Sequence, residues 1–285
     1  MASALVFGAS GQIGAALLPV LLRDGWQVTA VSRSPQPARA GLRWIQADLC
    51  RPAELPFEVD AVFSCGPLDH FSTWYADAAS LRARVVAFGS TSVAVKQDSN
   101  DPHERALAAR LAAAEARLFA CARARGAAAT VLRPTLVYGA GRDQTLTRIA
   151  QLARRTGFFV LPRSACGMRQ PVHVQDLADA AHAALGCAGS HGRSYALPGG
   201  ETLAYAHMVE RTLASLQPQA RLIQVPTALF KTALAGAHAV GVMRGLGQAA
   251  LARMGEDLVF DAEPARRDFG YAPRSFKPVA SMFSR

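Results

Sequence analysis

LVFGASGQIGAALLPVLLRDG, residues Leu5–Gly25, joins an apolar strand to a glycine-rich turn and the start of a helix. A turn that lacks side chains lets the backbone approach a pyrophosphate. The first N–H groups of the helix add oriented hydrogen-bond donors and partial positive charge. Glycines also serve ordinary turns, but the strand–turn–helix context favours a dinucleotide. The predicted site consists of Gly8, Ser10, Gly11, Gln12, Ile13 and Gly14.

Short apolar runs then alternate with longer helical patterns. Strands are predicted at 4–8, 27–32, 42–47, 59–65, 84–90 and 129–133, and helices near 12–24, 68–82 and 102–125. Such alternation is typical of a parallel sheet with helices on both faces. We therefore predict an α/β fold of the doubly wound, Rossmann type, with strand order 3-2-1-4-5-6 and a cofactor crevice between strands one and four.

The regular alternation of strands and helices ends after residue 141. Helices are predicted near 143–156, 175–186, 202–216 and 227–253, and strands at 170–174, 193–197 and 221–225. We expect residues 1–140 to form the dinucleotide-binding core, with 175–200 returning to it. Residues 141–174 and 201–285 would then form a smaller α/β cap that binds the substrate.

The end of the second predicted strand indicates which dinucleotide binds. A carboxylate at this point would accept hydrogen bonds from the adenosine ribose and favour NAD. The chain has no Asp or Glu from Trp26 to Gln46, and offers Ser32, Arg33 and Ser34 instead. One cation and two hydroxyls suit a 2′-phosphate. The alternative is an ordinary surface arginine, but the missing acid favours NADP over NAD.

Composition narrows the possible partners. The net charge is +10, carried mostly by scattered arginines, which favours anionic small molecules. A basic stripe with aromatic platforms is missing, and so is any run of 18 uncharged apolar residues, so we predict neither nucleic-acid binding nor membrane insertion. The five cysteines form no CxxC pair and no metal-ligand spacing. We therefore expect no metal, reduced thiols and a cytoplasmic location.

Several motifs, in order along nearly the whole chain, resemble the extended or atypical short-chain dehydrogenase/reductase superfamily, within its NAD-dependent epimerase/dehydratase group. Besides the glycine turn they are Asp48-Leu49, Phe88-Gly89-Ser90-Thr91-Ser92, LRPTLVYG (132–139), QPVHVQDLA (170–178) and DFGYAP (268–273). Each motif is weak alone, and the order makes them specific.

The resemblance implies further cofactor contacts. Asp48 and Leu49 would flank the adenine. Cys65, Gly66 and Pro67 would line the cofactor between the pyrophosphate and the nicotinamide ribose, and Pro134 and Thr135 would lie by the nicotinamide. The alternatives are a capping aspartate, a buried thiol and a turn proline, and for Cys65 the buried thiol is favoured.

The resemblance also implies a catalytic Tyr followed four residues later by Lys, on the helix after the fifth strand. Aligning that lysine with Arg110 leaves Ala106 at the tyrosine position, and the chain has no Tyr with a Lys four residues later. Arg110 would still hold a ribose hydroxyl, but a guanidinium keeps its proton. The usual proton donor is therefore missing.

Several hydroxyls are candidate substitutes: Ser90, Thr91 and Ser92 at a strand end, and Tyr138 after the sixth strand, with Ser90, Thr91 and Tyr138 favoured. His103 and Glu104, at the start of the next helix, are further candidates. The alternatives are a strand-end hydroxyl network, a packed aromatic ring and a helix-start charge.

Two functions stay open. The first is an NADP(H)-dependent oxidoreductase or epimerase/dehydratase acting on a carbonyl or sugar-type substrate, with Arg142, Arg163 and Arg169 suited to an anionic one such as a nucleotide-sugar. The second is a non-catalytic NADP(H)-binding sensor or accessory protein. The enzyme is favoured, because an unused cap needs no arginine lining. The apolar helix around 230–253 is expected to belong to the cap or to a homodimer contact.

Overall fold

The computed structural model describes residues 1–49, 55, 58–78, 80–239 and 248–284. Strands are numbered along the chain. They are β1 (Ser3–Phe7), β2 (Gln27–Ser32), β3 (Leu42–Gln46), β4 (Ala61–Ser64), β5 (Arg84–Phe88), β6 (Ala129–Pro134), β7 (Val137–Tyr138), β8 (Phe158–Pro162), β9 (Met168–Arg169), β10 (Val172–His173), β11 (Arg193–Leu197), β12 (Leu203–Ala204) and β13 (Arg221–Val225).

Helices are numbered in the same way. They are α1 (Gln12–Arg23), α2 (Leu68–Asp77), α3 (Ser92–Val95), α4 (Pro102–Ala124), α5 (Leu146–Thr156), α6 (Val174–Gly186), α7 (Tyr205–Ala214), α8 (Thr227–Ala239), α9 (Gln248–Arg253) and α10 (Glu263–Phe269). Within the described residues, no helix combines the length and the apolar character needed to cross a membrane.

A seven-stranded parallel sheet runs in the order β11-β6-β5-β4-β1-β2-β3. The predicted doubly wound fold and its strand order are confirmed, and β11 extends the sheet beyond β6. The strand order reverses between β1 and β4, where the glycine turn leaves β1. The central strands read as continuous buried runs because helices cover both faces of the sheet.

Residues fall into two compact units. Unit 1 comprises Met1–Thr135, Val174–Leu197 and Asp261–Ala272, and unit 2 comprises Leu136–His173, Pro198–Phe260 and Pro273–Arg285. Unit 1 has a core of aliphatic side chains around Phe7, Phe71 and Trp74. Unit 2 has its own core and three two-stranded sheets, β7-β10, β9-β12 and β8-β13.

The segment Asp261–Ala272 belongs to unit 1, whereas the predicted division counts it with the cap. Tyr195 of β11 explains this placement: its hydroxyl donates to the Asp268 carboxylate at 2.6 Å, and Arg193 pairs with the same carboxylate at 3.1 Å. The Cys187 thiol adds a hydrogen bond to the Asp268 carbonyl. These partners are about 70 to 80 residues away in sequence, so local patterning carries no trace of them.

Two predicted elements differ from the structure. The single strand at 170–174 is wrong: β9 and β10 are separate two-residue strands on either side of Gln170 and Pro171, and Pro171 has no N–H for a continuous ladder. The helix at 227–253 is represented by α8 and α9, while 240–247 lie outside the described residues. Of the predicted loop 48–58, residues 50–54, 56 and 57 likewise lie outside them.

Candidate functional site

The glycine turn between β1 and α1 leaves no room for a side chain at Gly8 or Gly14. Gly8 has φ +66°, and a Cβ there would lie 2.8 Å from the backbone of Cys65 and Gly66. A Cβ on Gly14 would overlap the carbonyl oxygen of Gly8, which also accepts the Gly11 N–H at 2.9 Å. At these glycines no side chain covers the backbone at the start of α1, so a pyrophosphate could approach its N–H groups closely.

Buried polar atoms next to the turn also fit a dinucleotide. The Gln12 Oε1 atom, in the first turn of α1, is buried and has no hydrogen-bond partner among the described residues. The same holds for the hydroxyl of Ser64, at the end of β4. Because buried polar groups in proteins are normally paired, these two atoms suit polar groups of a bound molecule. The residues present therefore fit the predicted cofactor.

The end of β2 forms a hydroxyl cluster. Ser32 is buried, its Oγ lies 3.0 Å from Ser10 Oγ of the glycine turn, and it accepts the Ser34 N–H at 3.2 Å. Arg33 is exposed, and its carbonyl accepts a hydrogen bond from the Gln46 side chain at 3.1 Å. The fold thus brings Ser10, Ser32 and Ser34 together and holds the backbone of Arg33 beside them.

The end of β4 completes this side of the site. The Cys65 N–H donates to the Phe7 carbonyl at 2.9 Å, and a Cβ on Gly66 would lie 3.7 Å from Leu49 Cδ1. Asp48 is half-buried at the same edge of the sheet, and Pro67 caps α2. Burial raises the pKa of the Cys65 thiol to about 12, so this cysteine stays protonated. The thiol is therefore a small, unreactive group at the end of β4, and its place beside the cofactor stays a prediction.

The end of β5 carries two of the candidate hydroxyls. The Thr91 hydroxyl donates to the Pro134 carbonyl at 3.2 Å, so its proton is already engaged. The Ser90 Oγ accepts the Ser92 N–H at 3.1 Å, and a serine that accepts one bond keeps its own hydrogen to donate. Thr135, which follows Pro134, pairs its N–H with Leu197 of β11.

Tyr138 lies in unit 2, in a packed aromatic cluster. Its side chain is fully buried, with ring centroids 4.9 Å from Phe276 and 5.2 Å from His173, both edge-on. A Cβ on Gly139 would lie 2.5 Å from His173 Nε2, so the cluster also constrains the chain that follows. The packed-aromatic interpretation of Tyr138 therefore has clear structural support.

Helix α4 carries Arg110, which the resemblance aligns with the lysine of the Tyr-Lys pair. Arg110 is exposed, and its Nε lies 4.0 Å from the Asp69 carboxylate of α2. Glu104 is buried; it accepts from the Ser99 hydroxyl at 2.8 Å and lies 3.4 Å from Lys96 Nζ. Lys96 lies outside the sequence-predicted site, although lysine is scarce in this chain and Lys96 follows closely after the Ser90 segment.

A second ion pair, with a buried carboxylate and a half-buried guanidinium, joins α4 to β6. The Glu115 carboxylate of α4 accepts from Arg133 Nε at 2.9 Å, from Arg133 Nη2 and from the Ser194 hydroxyl at 2.9 Å. A Cβ on Gly89 would lie 3.2 Å from Glu115 Oε1. These contacts join α4, β6 and β11. In the sequence, Glu115 is one of two glutamates on an alanine-rich helix and belongs to none of the motifs named above.

The arginines expected to bind an anionic substrate are not equivalent. Arg169 is buried and donates to the carbonyls of Met168, Arg253 and Glu256, and burial lowers its pKa. It therefore holds the chain after α9. Arg142 and Arg163 are exposed, and their binding of an anionic substrate stays a prediction. Among the described residues, no three His, Cys, Asp or Glu side chains are grouped as metal ligands.

Comparison with known proteins gives three findings. The profile of the NAD-dependent epimerase/dehydratase family matches residues 4–88 and 75–197. A 2-alkyl-3-oxoalkanoate reductase of Stenotrophomonas maltophilia is 28% identical, over 95% of this chain and 94% of the relative. Among solved structures, an epimerase of Methanothermobacter thermautotrophicus has a TM-score of 0.74 at 15% identity, covering 99% of this chain and 90% of its own.

A second structure gives the same picture. The UDP-glucuronic acid 4-epimerase of Bacillus cereus, in complex with NAD, has a TM-score of 0.71 at 12% identity, covering 99% of this chain and 97% of its own. At these identities the structural likeness concerns the fold alone.

Proposed function

Because the chain belongs to the NAD-dependent epimerase/dehydratase family, we propose that it is an NADP(H)-dependent oxidoreductase acting on an anionic carbonyl compound. The reductase relative supports the reaction type, since its name describes reduction of a 3-oxo acid. A 3-oxo acid combines a ketone with a carboxylate, and the carboxylate suits a chain of net charge +10. Nucleotide-sugars, which several structural neighbours bind, are the second substrate class to test.

The observation that carries the proposal is the hydroxyl cluster at the end of β2. Ser32 occupies the position where a carboxylate would select NAD, and its Oγ is anchored by Ser10 and by the Ser34 N–H. The exposed Arg33 adds a cation whose planar donors match a phosphate. Bound NAD in the structural neighbours supports a nicotinamide cofactor, and the β2 cluster supports the phosphorylated form.

The bound cofactor would supply or accept the hydride, and the chain must hold the substrate oxygen. Ser90 is the candidate for this role, because its hydroxyl keeps a hydrogen to donate while that of Thr91 is engaged with Pro134. Both residues follow β5, and the carboxyl ends of parallel strands share the edge that carries the glycine turn. Ser90 would therefore donate a hydrogen bond to the carbonyl oxygen as negative charge develops there.

One observation favours a second function, a non-catalytic NADP(H)-binding protein. Helix α4 has Ala106 and Arg110 where a Tyr-Lys pair would act, and Arg110 lies beside Asp69 on an exposed surface. A cofactor pocket without a proton donor suits a sensor. Catalysis therefore depends on whether Ser90 can replace the missing pair.

Calorimetric titration with NADPH and NADH, followed by an activity screen, tests the proposal. We expect NADPH to bind at least about tenfold more tightly, a difference of about 1.4 kcal/mol. The screen would follow the loss of NADPH absorbance with 3-oxo acids and simple ketones. It would also follow the gain of NADPH absorbance when NADP is supplied with UDP-glucose or UDP-glucuronic acid. NADPH binding without turnover on any substrate favours the sensor, and equal affinity for both dinucleotides contradicts the cofactor assignment.

A further inference from the structure

A cavity of about 430 Å³ lies in unit 1 at the edge of the sheet opposite the glycine turn. Its lining includes Arg84 and Ala129, the first residues of β5 and β6, and Gly192, which precedes β11. Because these strands are parallel, their amino ends lie a strand length, about 16 Å, from the edge that carries Ser90. The cavity is therefore separate from the proposed cofactor and substrate site.

The floor of the cavity is made by the turn from α4 into β6. Gly126, with φ +65°, ends the helix, and the Ala127 N–H donates to the Ala122 carbonyl at 2.9 Å. The carbonyls of Ala128 and Ala129 accept the N–H groups of Val85 and Gly192. The side chains in this part of the lining are those of alanines at 122, 127, 128 and 129. The Phe119 side chain adds an aromatic surface.

The rest of the lining is cationic. Three guanidinium groups and one imidazole contribute to it, from Arg82, Arg84, Arg123 and His191, and no acidic residue is among the described residues of the lining. Arg82 donates to the Arg125 carbonyl at 2.8 Å, and Arg84 to the Leu185 carbonyl at 2.7 Å. A guanidinium has five N–H donors, so each bond positions its arginine and leaves most donors for a ligand.

His191 lies close enough to Arg84 for the guanidinium charge to disfavour protonation of the imidazole, so the positive charge of the lining lies on the arginines. Burial, and next the nearby Arg84 guanidinium, lower the pKa of His191. Like charges held together in a concave site favour an anion that would offset their repulsion. The size of the cavity falls within the range of about 300–1,000 Å³ that is typical of small-molecule sites.

We propose that this cavity binds an amphipathic organic anion, with a carboxylate or phosphate head on the arginines and an apolar body on Phe119 and the alanine floor. Planar guanidinium groups match both head groups, so the chemistry of the head is shared. The apolar floor distinguishes such a ligand from a free inorganic anion, which would leave the methyl and phenyl surfaces exposed to water.

Titrations monitored by the imidazole resonances of histidine-labelled protein test this proposal, with His191 identified by a His191→Gln variant. Octanoate and octyl phosphate combine head and body, acetate and inorganic phosphate supply the head alone, and octanol supplies the body alone. We expect octanoate or octyl phosphate to shift the His191 resonance at saturation. Each partial probe should bind at least about tenfold more weakly. The tighter of the two complete probes identifies the head group.

Variants separate this site from general attraction to a basic protein. Arg123→Ala should weaken the complete probe about tenfold or more, because it removes a charged donor. Arg117→Ala, on the same helix but outside the lining, should leave the affinity unchanged, and thermal unfolding would check that both variants fold. Three results would overturn the proposal: no shift of His191, equal binding of inorganic phosphate and octyl phosphate, or equal effects of the two variants.

Discussion

The hydroxyl of Thr91 donates a hydrogen bond to the carbonyl oxygen of Pro134, 3.2 Å away. The Thr91 N–H donates to the same oxygen at 3.4 Å, so one residue after β5 is bound twice to the end of β6. Ser90, its neighbour, accepts a bond from Ser92 and keeps a hydrogen. Two adjacent hydroxyls that look equivalent in the sequence therefore differ in their capacity to donate a hydrogen bond to a ligand.

Ser90→Ala should lower turnover by about 10²–10⁴, the usual contribution of a positioned proton donor, with NADPH affinity little changed. Steady-state kinetics and calorimetry would measure both. Thr91→Val removes a structural hydrogen bond and should lower the free energy of unfolding by about 1 kcal/mol, leaving turnover within a few-fold. Full activity in Ser90→Ala, with loss in Tyr138→Phe, would transfer the role to the tyrosine.

Arg33→Ala should weaken NADPH binding by about tenfold or more and leave NADH binding nearly unchanged, because only the 2′-phosphate gains from the guanidinium. Ser32→Asp should shift preference toward NADH, since the new carboxylate repels the phosphate and accepts from a ribose hydroxyl. Arg23→Ala is the control, being an exposed arginine at the opposite end of α1 from the glycine turn. An unchanged NADPH preference in both test variants would contradict the cofactor assignment.

Glu115→Ala should lower the free energy of unfolding by about 3 kcal/mol, because it leaves the Arg133 guanidinium without its partner. This is the lower end of the range for broken buried pairs, since the Arg133 side chain is 31% exposed. Chemical denaturation would measure the change. Glu115→Gln keeps hydrogen-bond acceptors and should lose less, and Glu210→Ala, on an exposed face of α7, should change stability by less than about 0.5 kcal/mol.

Cys65 should react with iodoacetamide at pH 8 at least about 10²-fold more slowly than an ordinary thiol of pKa about 8.5. With a pKa of about 12, its thiolate is a very small fraction of the total at pH 8. Since the pKa is raised, the alkylation rate should keep rising with pH up to about 10, where an ordinary thiol has levelled off. Mass spectrometry of the Cys65 peptide would measure the rate, and rapid modification at pH 8 would show the thiol to be activated.

Tertiary structure separated candidates that the sequence treated alike. Thr91 and Pro134 are 43 residues apart, and Arg169 reaches carbonyls 84 and 87 residues away, so only the folded chain shows that these donors are engaged. Arg110 of α4 lies on an exposed surface beside Asp69 of α2. The spacing of residues within α4 does not predict an ion pair between two helices. Hydrogen-bond partners distant in the chain leave no periodic signal to read.

What the sequence by itself determined was the parallel sheet with its strand order and the glycine-rich turn that follows β1. The glycines at 8, 11 and 14 and the alternation of apolar runs with helices are properties of short segments, and steric and hydrophobic rules act on them locally. Only the tertiary structure decided which hydroxyl keeps a proton, which arginine is buried, and that arginines from β5, α4 and the approach to β5 line one cavity. The partners of these side chains depend on which distant segments come into contact. A donor or a charge that already has a partner in the folded chain is less able to bind a ligand.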